Sequence, residues 1–278
     1  MNAHETGGSR EFPFSAEDFE RVRTLIHKHA GISLSLSKRD MVYSRLARRL
    51  RAAGKNTFSS YLDWVERGNP TEWEHFVNAL TTNLTYFFRE EHHFPVLAEH
   101  LKMLGNRRPI KIWCNAASTG EEPYSIAMTV LETFGDNTKH VSIIASDLDT
   151  NVLTIAQRGI YSTEKLQKVT PSRLKRFFLP ATEPGHYRVN PYLQRLIEFR
   201  RINLLDTSWS VQAPLDIIFC RNVMIYFDKP TQHKILSRFL PLIQEGGRLF
   251  AGHSESFLHA AELFKPLGKT VYAPVKSR

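Results

Sequence analysis

The sequence predicts an α/β protein: a Rossmann-like sheet, preceded by a small all-helical unit and interrupted by an inserted antiparallel β-subdomain. Three observations lead there. Residues 12–82 carry repeated helix start and stop signals and no alternating strand pattern. From residue 109 short β-rich apolar runs alternate with helical segments, the pattern of a parallel sheet covered on both faces. Residues 160–203 are too long for an ordinary loop in a compact sheet and contain their own helix and strand signals. The expected boundaries are a flexible tail at 1–11, a helical domain at 12–82, a linking loop and helix at 83–108, and the sheet domain at 109–278, with the insert at about 160–203.

The elements follow in order. "SAEDFERVRTLIHKHAG" opens with Ser15 and Asp18 at capping-box spacing and closes at Gly31. "SKRDMVYSRLARRLRAAG" repeats this, with Ser37 and Asp40 at its start and Gly54 past its end. "FSSYLDWVERG" and "TEWEHFVNALTT" read as two shorter helices, and "NLTYFFREEHHFPVLAEHLKML" as a loop and a helix. Then "IKIWCNA" precedes the helix "EEPYSIAMTVLETF", "VSIIASDLD" precedes "TNVLTIAQRG", and "LDIIFCRN" precedes "KPTQHKILSRFLPLI". "GGRLFAGHSE" and "TVYAPV" complete the sheet. Within the insert, Thr170 caps and Pro171 opens the helix "TPSRLKRFF", and "HYRV" with "LIEFRRINL" reads as a hairpin.

Composition narrows the class. Hydrophobic residues make up 42% and aromatics 11%, enough for a core. Two cysteines, Cys114 and Cys220, both in apolar runs, exclude a disulfide framework and a C-x-x-C metal site. The start "MNAHETGGSREF" lacks an apolar signal core, and no run reaches the roughly 18 apolar residues of a membrane span. The expectation is a cytoplasmic protein without direct membrane insertion. A net charge of +9 suits a polyanionic partner: nucleic acid, an anionic membrane or an acidic protein.

The loop "NAASTGEEP" after the first expected strand is the most informative stretch. Ligands of open parallel sheets bind beyond the carboxyl ends of the strands. The dinucleotide pattern G-x-G-x-x-G and the P-loop pattern are both absent, and Glu121 and Glu122 would repel a pyrophosphate. Glutamates at a helix start also serve the helix dipole, and Glu121 has that reading beside the functional one. A cofactor with an adenosine-like body and positive charge in place of phosphate fits, and S-adenosylmethionine is such a molecule. Asp147 ends the next apolar run, where such folds hold a ribose diol; Asp149 is its rival and a candidate cap for the following helix.

In order, "NALTTNLTYFFRE", "AASTGEEPYSIAM", "ASDLDTNVLTIAQRGIY", "IIFCRNVMIYFDK" and "LFAGHSE" resemble the CheR family over nearly the whole chain. These are methyltransferases that esterify glutamates of bacterial chemoreceptors, and the resemblance implies a class I methyltransferase sheet. It implies that the "NLTYFFR" segment closes over the cofactor, through Asn83, Thr85 and Arg89. It further implies cofactor contacts at Ala116, Glu122, Asp147, Asn203, Leu204, Arg221 and Asn222, and places Tyr226 near the transferred methyl. The product is S-adenosylhomocysteine. The implied partner is the cytoplasmic domain of methyl-accepting chemoreceptors, reached at membrane receptor arrays by a monomeric enzyme. In some relatives the insert docks a receptor tail peptide.

The chemistry agrees with these residues. A glutamate acceptor, with an ordinary pKa of about 4.3, is ionised at neutral pH, so methylation calls for no general base and no metal ligand. It calls for alignment and for a group that holds a carboxylate; Arg89 leads for that role and Arg221 follows, with pairing to the loop acids as the alternative for Arg221. Tyr226 either orients the acceptor or packs as an aromatic of "MIYF". His92 and His93 are read as surface or hinge groups, H-E-x-x-H being absent, and His253 receives no role. The basic helix offers Arg45, Arg48 and Arg49 as a dock for a glutamate-rich receptor helix, or simply as a solvated face. A nucleic-acid methyltransferase of this fold would carry an [N/D]-P-P-[Y/F] signature; this chain has no Pro-Pro pair and no aromatics among its arginines. A third reading is a non-catalytic regulator that binds S-adenosylmethionine.

Overall fold

The computed structural model describes residues 10–275. Residues 1–9 of the expected tail lie outside that range. Arg10 and Glu11 do not behave as a tail, since Arg10 pairs with Asp40 at 2.6 Å and Glu11 with Arg51 at 2.9 Å. The chain divides into two compact units, with the boundary between Thr82 and Asn83.

The first unit is all helical: α1 (Ala16–Ala30), α2 (Arg39–Ala52), α3 (Phe58–Glu66) and α4 (Pro70–Leu80). The α1 capping box forms as the spacing predicts, and Gly31 ends the helix at φ 70°, a conformation that suits glycine. Phe19, Val22, Ile26 and Ala30 make its buried stripe. The start of α2 differs from expectation. Ser37 lies in a 3-10 turn, Leu36–Lys38, that runs directly into the helix, so its hydroxyl meets Ser35 at 2.7 Å and Asp40 turns to Arg10. Thr57 caps α3 and Asn69 caps α4, each accepting a backbone N–H three residues on.

The second unit carries α5 (His93–Leu104), β1 (Ile110–Cys114), α6 (Glu121–Phe134), β2 (Val141–Asp147), α7 (Thr150–Arg158), β3 (Ile160–Ser162), α8 (Pro171–Phe177), β4 (Phe178–Pro180), β5 (His186–Val189), α9 (Pro191–Gln194), β6 (Ile197–Arg201), β7 (Leu215–Cys220), α10 (Lys229–Phe239), β8 (Ile243–Ala251), β9 (Phe264–Gly268) and β10 (Val271–Pro274). The main sheet has seven strands in the order β6-β2-β1-β7-β8-β10-β9. β6, β2, β1, β7 and β8 are mutually parallel, and β10 runs antiparallel between β8 and β9. Strand order therefore reverses between β1 and β7, the place where an open sheet leaves a crevice beyond its carboxyl ends. Every residue of β7 is buried, as a central parallel strand requires.

Three features depart from the sequence reading. "HYRV" and "IEFRR" do not form a hairpin: β5 pairs antiparallel with β3 and β4, whereas β6 joins β2 as the parallel edge strand of the main sheet. The short helix α9 stands between them and carries the chain from one sheet to the other. The insert proper therefore ends before β6. It also lacks a core of its own, for Tyr161, Leu166, Phe177, Phe178, Val189 and Leu193 belong to the same buried cluster as α6 and β1. Helix α10 stops at Phe239, short of the expected Ile243, because Pro241 cannot continue the ladder; Ile243 instead opens β8. The edge strand β9 has no clear signal in "FKPLG".

Candidate active site

The site is assembled where the carboxyl ends of β1, β2, β7 and β8 converge. After β1 the chain turns sharply through residues 115–120. Asn115 N–H donates to Phe219 O at 3.0 Å and Ala117 N–H to Ser146 O at 2.9 Å, tying the loop to both neighbouring strands. Ser118 sits at φ 48° and Gly120 at φ 99°. A Cβ at Gly120 would lie 2.7 Å from Tyr161 Oη and 2.9 Å from Ala156 Cβ, so the turn admits only glycine.

The two glutamates of the loop part company. Glu121 is fully buried; its carboxylate accepts from Thr119 at 2.6 Å and from Lys165 of the insert at 3.3 Å. Glu122 points across the sheet, where Arg221 Nη1 donates to Oε2 at 2.7 Å and the Cys114 thiol to Oε1 at 3.3 Å. Burial raises the pKa of Glu122, and Arg221 counteracts it. The Cys114 thiol is pushed well up by burial and by Glu122, so it stays protonated.

Arg221 is the centre of a buried knot. Its side chain is wholly enclosed, bonded to Glu122, 3.3 Å from Glu90, and donating through Nη2 to the Arg89 carbonyl. Pairing with acids, and not a grip on a free acceptor carboxylate, is therefore its observed state. The half-buried Arg89 donates to Leu84 O at 2.6 Å, and its guanidinium lies 6.0 Å from the Tyr86 ring centre.

Asp147 ends β2. It accepts the Ser118 N–H at 2.8 Å and the Asp149 N–H at 3.0 Å, and burial lifts its pKa to about 6 in spite of these bonds. Asp149 caps α7 through Asn151 and Val152, and also accepts from Asn83 Nδ2 at 2.8 Å. The Asn83 carbonyl receives the Ser118 hydroxyl at 3.1 Å. Asn83, Ser118, Asp147 and Asp149 thus form one cluster. Thr85 lies half-buried on the same segment and Ala116 within the β1 loop.

Asn203 and Leu204 follow β6. Asn203 is buried and caps its own turn through Leu205 N–H at 3.0 Å, and Leu204 packs in the core cluster of Trp113 and Ile218. Tyr226 is half-buried at the end of a 3-10 turn, Met224–Tyr226, beside the exposed Ile225.

Two carboxylates escaped the sequence reading. Glu90 accepts from His253 N–H at 3.0 Å and from Asn222 Nδ2 at 3.2 Å. Burial alone would raise its pKa, but the His253 N–H and Arg221 hold it below the usual value. Glu255 accepts the backbone N–H groups of Asn222, Val223, Met224 and Gly252. The available signals were slight: Glu90 stands next to Arg89, and Glu255 lies in the "GHSES" that ends an apolar run. His253 contributes its backbone, and its side chain is exposed.

Among the described residues, Glu90, His92 and His93 form the one group whose ligand atoms lie within 4.8 Å of one another. Glu90 already faces the Arg221 guanidinium, and His93 Nε2 lies 2.8 Å from Lys269 O. Burial lowers the His93 pKa to about 4, so the ring is neutral at physiological pH.

In the helical unit the arginine face is only partly free. Arg49 makes a two-point pair with the buried Glu72, at 3.1 and 2.7 Å, which also accepts the Tyr61 hydroxyl at 2.8 Å. Arg45 donates to Thr81 O at 2.5 Å, at the end of α4. Arg48 is exposed. Of the three arginines expected to dock a receptor helix, Arg45 and Arg49 thus bond within their own unit, and Arg48 is left exposed.

Glu90, Glu122, Asp147 and Asp149 gather acid at the strand ends, with Arg221 paired to two of them, a charge pattern that suits a cationic, phosphate-free cofactor. Comparison with known proteins agrees. Residues 83–273 match the family model described as the CheR methyltransferase, SAM binding domain, and residues 17–81 match that of the CheR methyltransferase, all-alpha domain. Chemotaxis protein methyltransferase 2 of Pseudomonas aeruginosa is 52% identical over 270 residues, covering 96% of each chain. The chemotaxis protein methyltransferase of Escherichia coli is 50% identical over 258 residues, covering 92% of this chain and 90% of that one.

Proposed function

The chain belongs to the CheR methyltransferase family, which makes it an S-adenosylmethionine-dependent methyltransferase of chemotaxis, and from that premise we propose the acceptor and the residue roles. The acceptors are glutamate side chains in the cytoplasmic domain of chemoreceptors, converted to methyl esters. When bound, the cofactor supplies an electrophilic methyl on a sulfonium. Asp147, with Asn83 and Asp149 beside it, holds the ribose hydroxyls, and Glu122 faces the positive end of the molecule. Arg221, paired with both Glu122 and Glu90, prevents these two acids from repelling one another.

The acceptor carboxylate is ionised at neutral pH, so the protein has no proton to move and its work is alignment and charge placement. Arg89 is the cation for the acceptor carboxylate, since Arg221 is committed to Glu122 and Glu90. Tyr226 orients the acceptor from the turn after β7. The observation that carries this reading is the acid-lined turn after β1, which would reject a phosphate and suits a sulfonium.

The test uses labelled S-adenosylmethionine and receptor-bearing membranes, followed by mild alkali. A glutamyl methyl ester releases labelled methanol. Label that stays on protein through alkali, or passes to added RNA or DNA, would overturn the acceptor assignment. For delivery to receptor membranes we propose a docking surface that includes exposed Arg48; no helix among the described residues is long and apolar enough to cross a membrane. The insert is the proposed seat for a receptor tail peptide in receptors that carry one.

A further inference from the structure

We propose that Glu255 is a positioning residue for methyl transfer, holding the turn from Arg221 to Tyr226 in the conformation that presents the acceptor side of the site. The inference rests on the reading above, which gives Arg221, Asn222 and Tyr226 their roles. Three consecutive backbone N–H groups converge on its carboxylate: Asn222 on Oε2 at 2.9 Å, Val223 on Oε1 at 2.9 Å and Met224 on Oε1 at 2.7 Å. Gly252 N–H, at the end of β8, adds a fourth. Where a left-handed residue adjoins a right-handed one, successive amides converge into a concavity that binds anions. Asn222 supplies the left-handed residue at φ 57°. Glu255 is thus an anion from the β8 end that sets the backbone leaving β7.

The turn does not depend on Glu255 for closure. Tyr226 N–H bonds Val223 O at 3.1 Å and Phe227 N–H bonds Met224 O at 3.1 Å. What Glu255 adds is the direction of the first three residues. Glu90 completes the brace from the other side, taking Asn222 Nδ2 and the His253 N–H. Space is closed as well: a Cβ on Gly252 would lie 2.4 Å from Asn222 Nδ2 and 2.8 Å from Asn222 N. Burial raises the pKa of Glu255, and the four amide donors counteract it.

Glu255→Gln keeps the shape but places an amide N–H₂ against N–H donors. Gly252→Ala strains the same brace from the opposite side. Two measurements apply to each folded variant: amide exchange at residues 222–224 in the cofactor-free protein, and kcat with saturating S-adenosylmethionine and receptor membranes. We expect exchange faster by about tenfold, and kcat lower by at least about tenfold in both variants, as displacement of aligned groups predicts. Protected amides with a wild-type kcat would overturn the proposal. So would a lower melting temperature with unchanged kcat per folded molecule, which would make Glu255 a stabilising group alone. Wild-type protein that binds S-adenosylmethionine yet methylates no receptor overturns the acceptor assignment instead, and the exchange data still decide whether Glu255 holds the turn.

Discussion

At the residue scale, "GEE" held two chemistries that only partner identity separates. Glu121 and Glu122 are adjacent and both buried, yet one bonds Lys165 of the insert and the other Arg221 of the β7 end. Glu122→Ala leaves the enclosed Arg221 with one nearby acid fewer, which should cost roughly 3 kcal/mol of stability and weaken cofactor binding measured by calorimetry. Glu121→Ala should lower the melting temperature and affect cofactor affinity less; equal, negligible effects on affinity would refute the division. Asp147 gives a pH prediction. Its carboxyl titrates near 6, above the ordinary value, because burial disfavours the ionised form. In the ribose role proposed above, the ionised form accepts the hydroxyls, so cofactor affinity should be constant above that pH and fall as pH drops through about 6. In the cofactor-free protein the sign reverses: a raised carboxyl pKa means that stability is gained as pH falls through the same window. Affinity that stays flat down to pH 5 would remove Asp147 from the ribose role. Asp147 was singled out as a candidate because it ends an apolar run. Glu90 and Glu255 were not, since the groups that define them lie 163 and 33 residues away, at His253 N and Asn222 N.

At the element scale, legibility tracked sequence distance. The caps at Ser15, Thr57, Asn69, Asp149 and Thr170 form through residues two or three positions on, and all five begin helices that the sequence predicts. Strand pairing has no such local record. "HYRV" and "IEFRR" are both strands, but their partners, β3 with β4 and β2, are distant in sequence, and a pattern of period two does not encode which strand pairs with which. The same limit governs α2. Its arginines read alike, yet α4 consumes two of them, through Glu72 and the Thr81 carbonyl. Arg49→Ala should therefore destabilise the helical unit by roughly 2 kcal/mol, by unpairing a buried carboxylate. Arg48→Glu should leave the melting temperature unchanged and raise the apparent KM for receptor membranes. Thermal melts and receptor kinetics on the two variants separate the roles, and an unchanged KM for Arg48→Glu would end the docking assignment.

At the scale of the whole molecule, alternation of apolar runs with helices was enough to specify an open parallel sheet, and such a sheet offers a ligand the carboxyl ends of its strands. Charge was less readable. The excess of 37 basic over 28 acidic residues admitted nucleic acid, membrane or acidic protein alike. Internal pairing explains part of the arginine count, as with Arg21 to Asp63, Arg108 to Asp216 and Arg173 to Glu132. Each such pair is neutral, so pairing leaves the net +9 intact and concentrates it on side chains without acids beside them. Attraction of an anionic receptor to those groups acts over the screening length, which shortens to about 8 Å at physiological ionic strength. The cofactor contacts proposed above, at Asp147 and Glu122, lie at the strand ends among part-buried and buried groups, where salt screens little. The kcat/KM for receptor membranes should therefore fall steeply as salt rises, through the association rate, while the KM for S-adenosylmethionine stays nearly constant. Initial rates across a salt series, varying one substrate at a time, decide it. If both parameters hold level, the positive charge plays no part in finding the receptor, and recognition must reside in apolar groups such as the exposed Leu84 and Ile225.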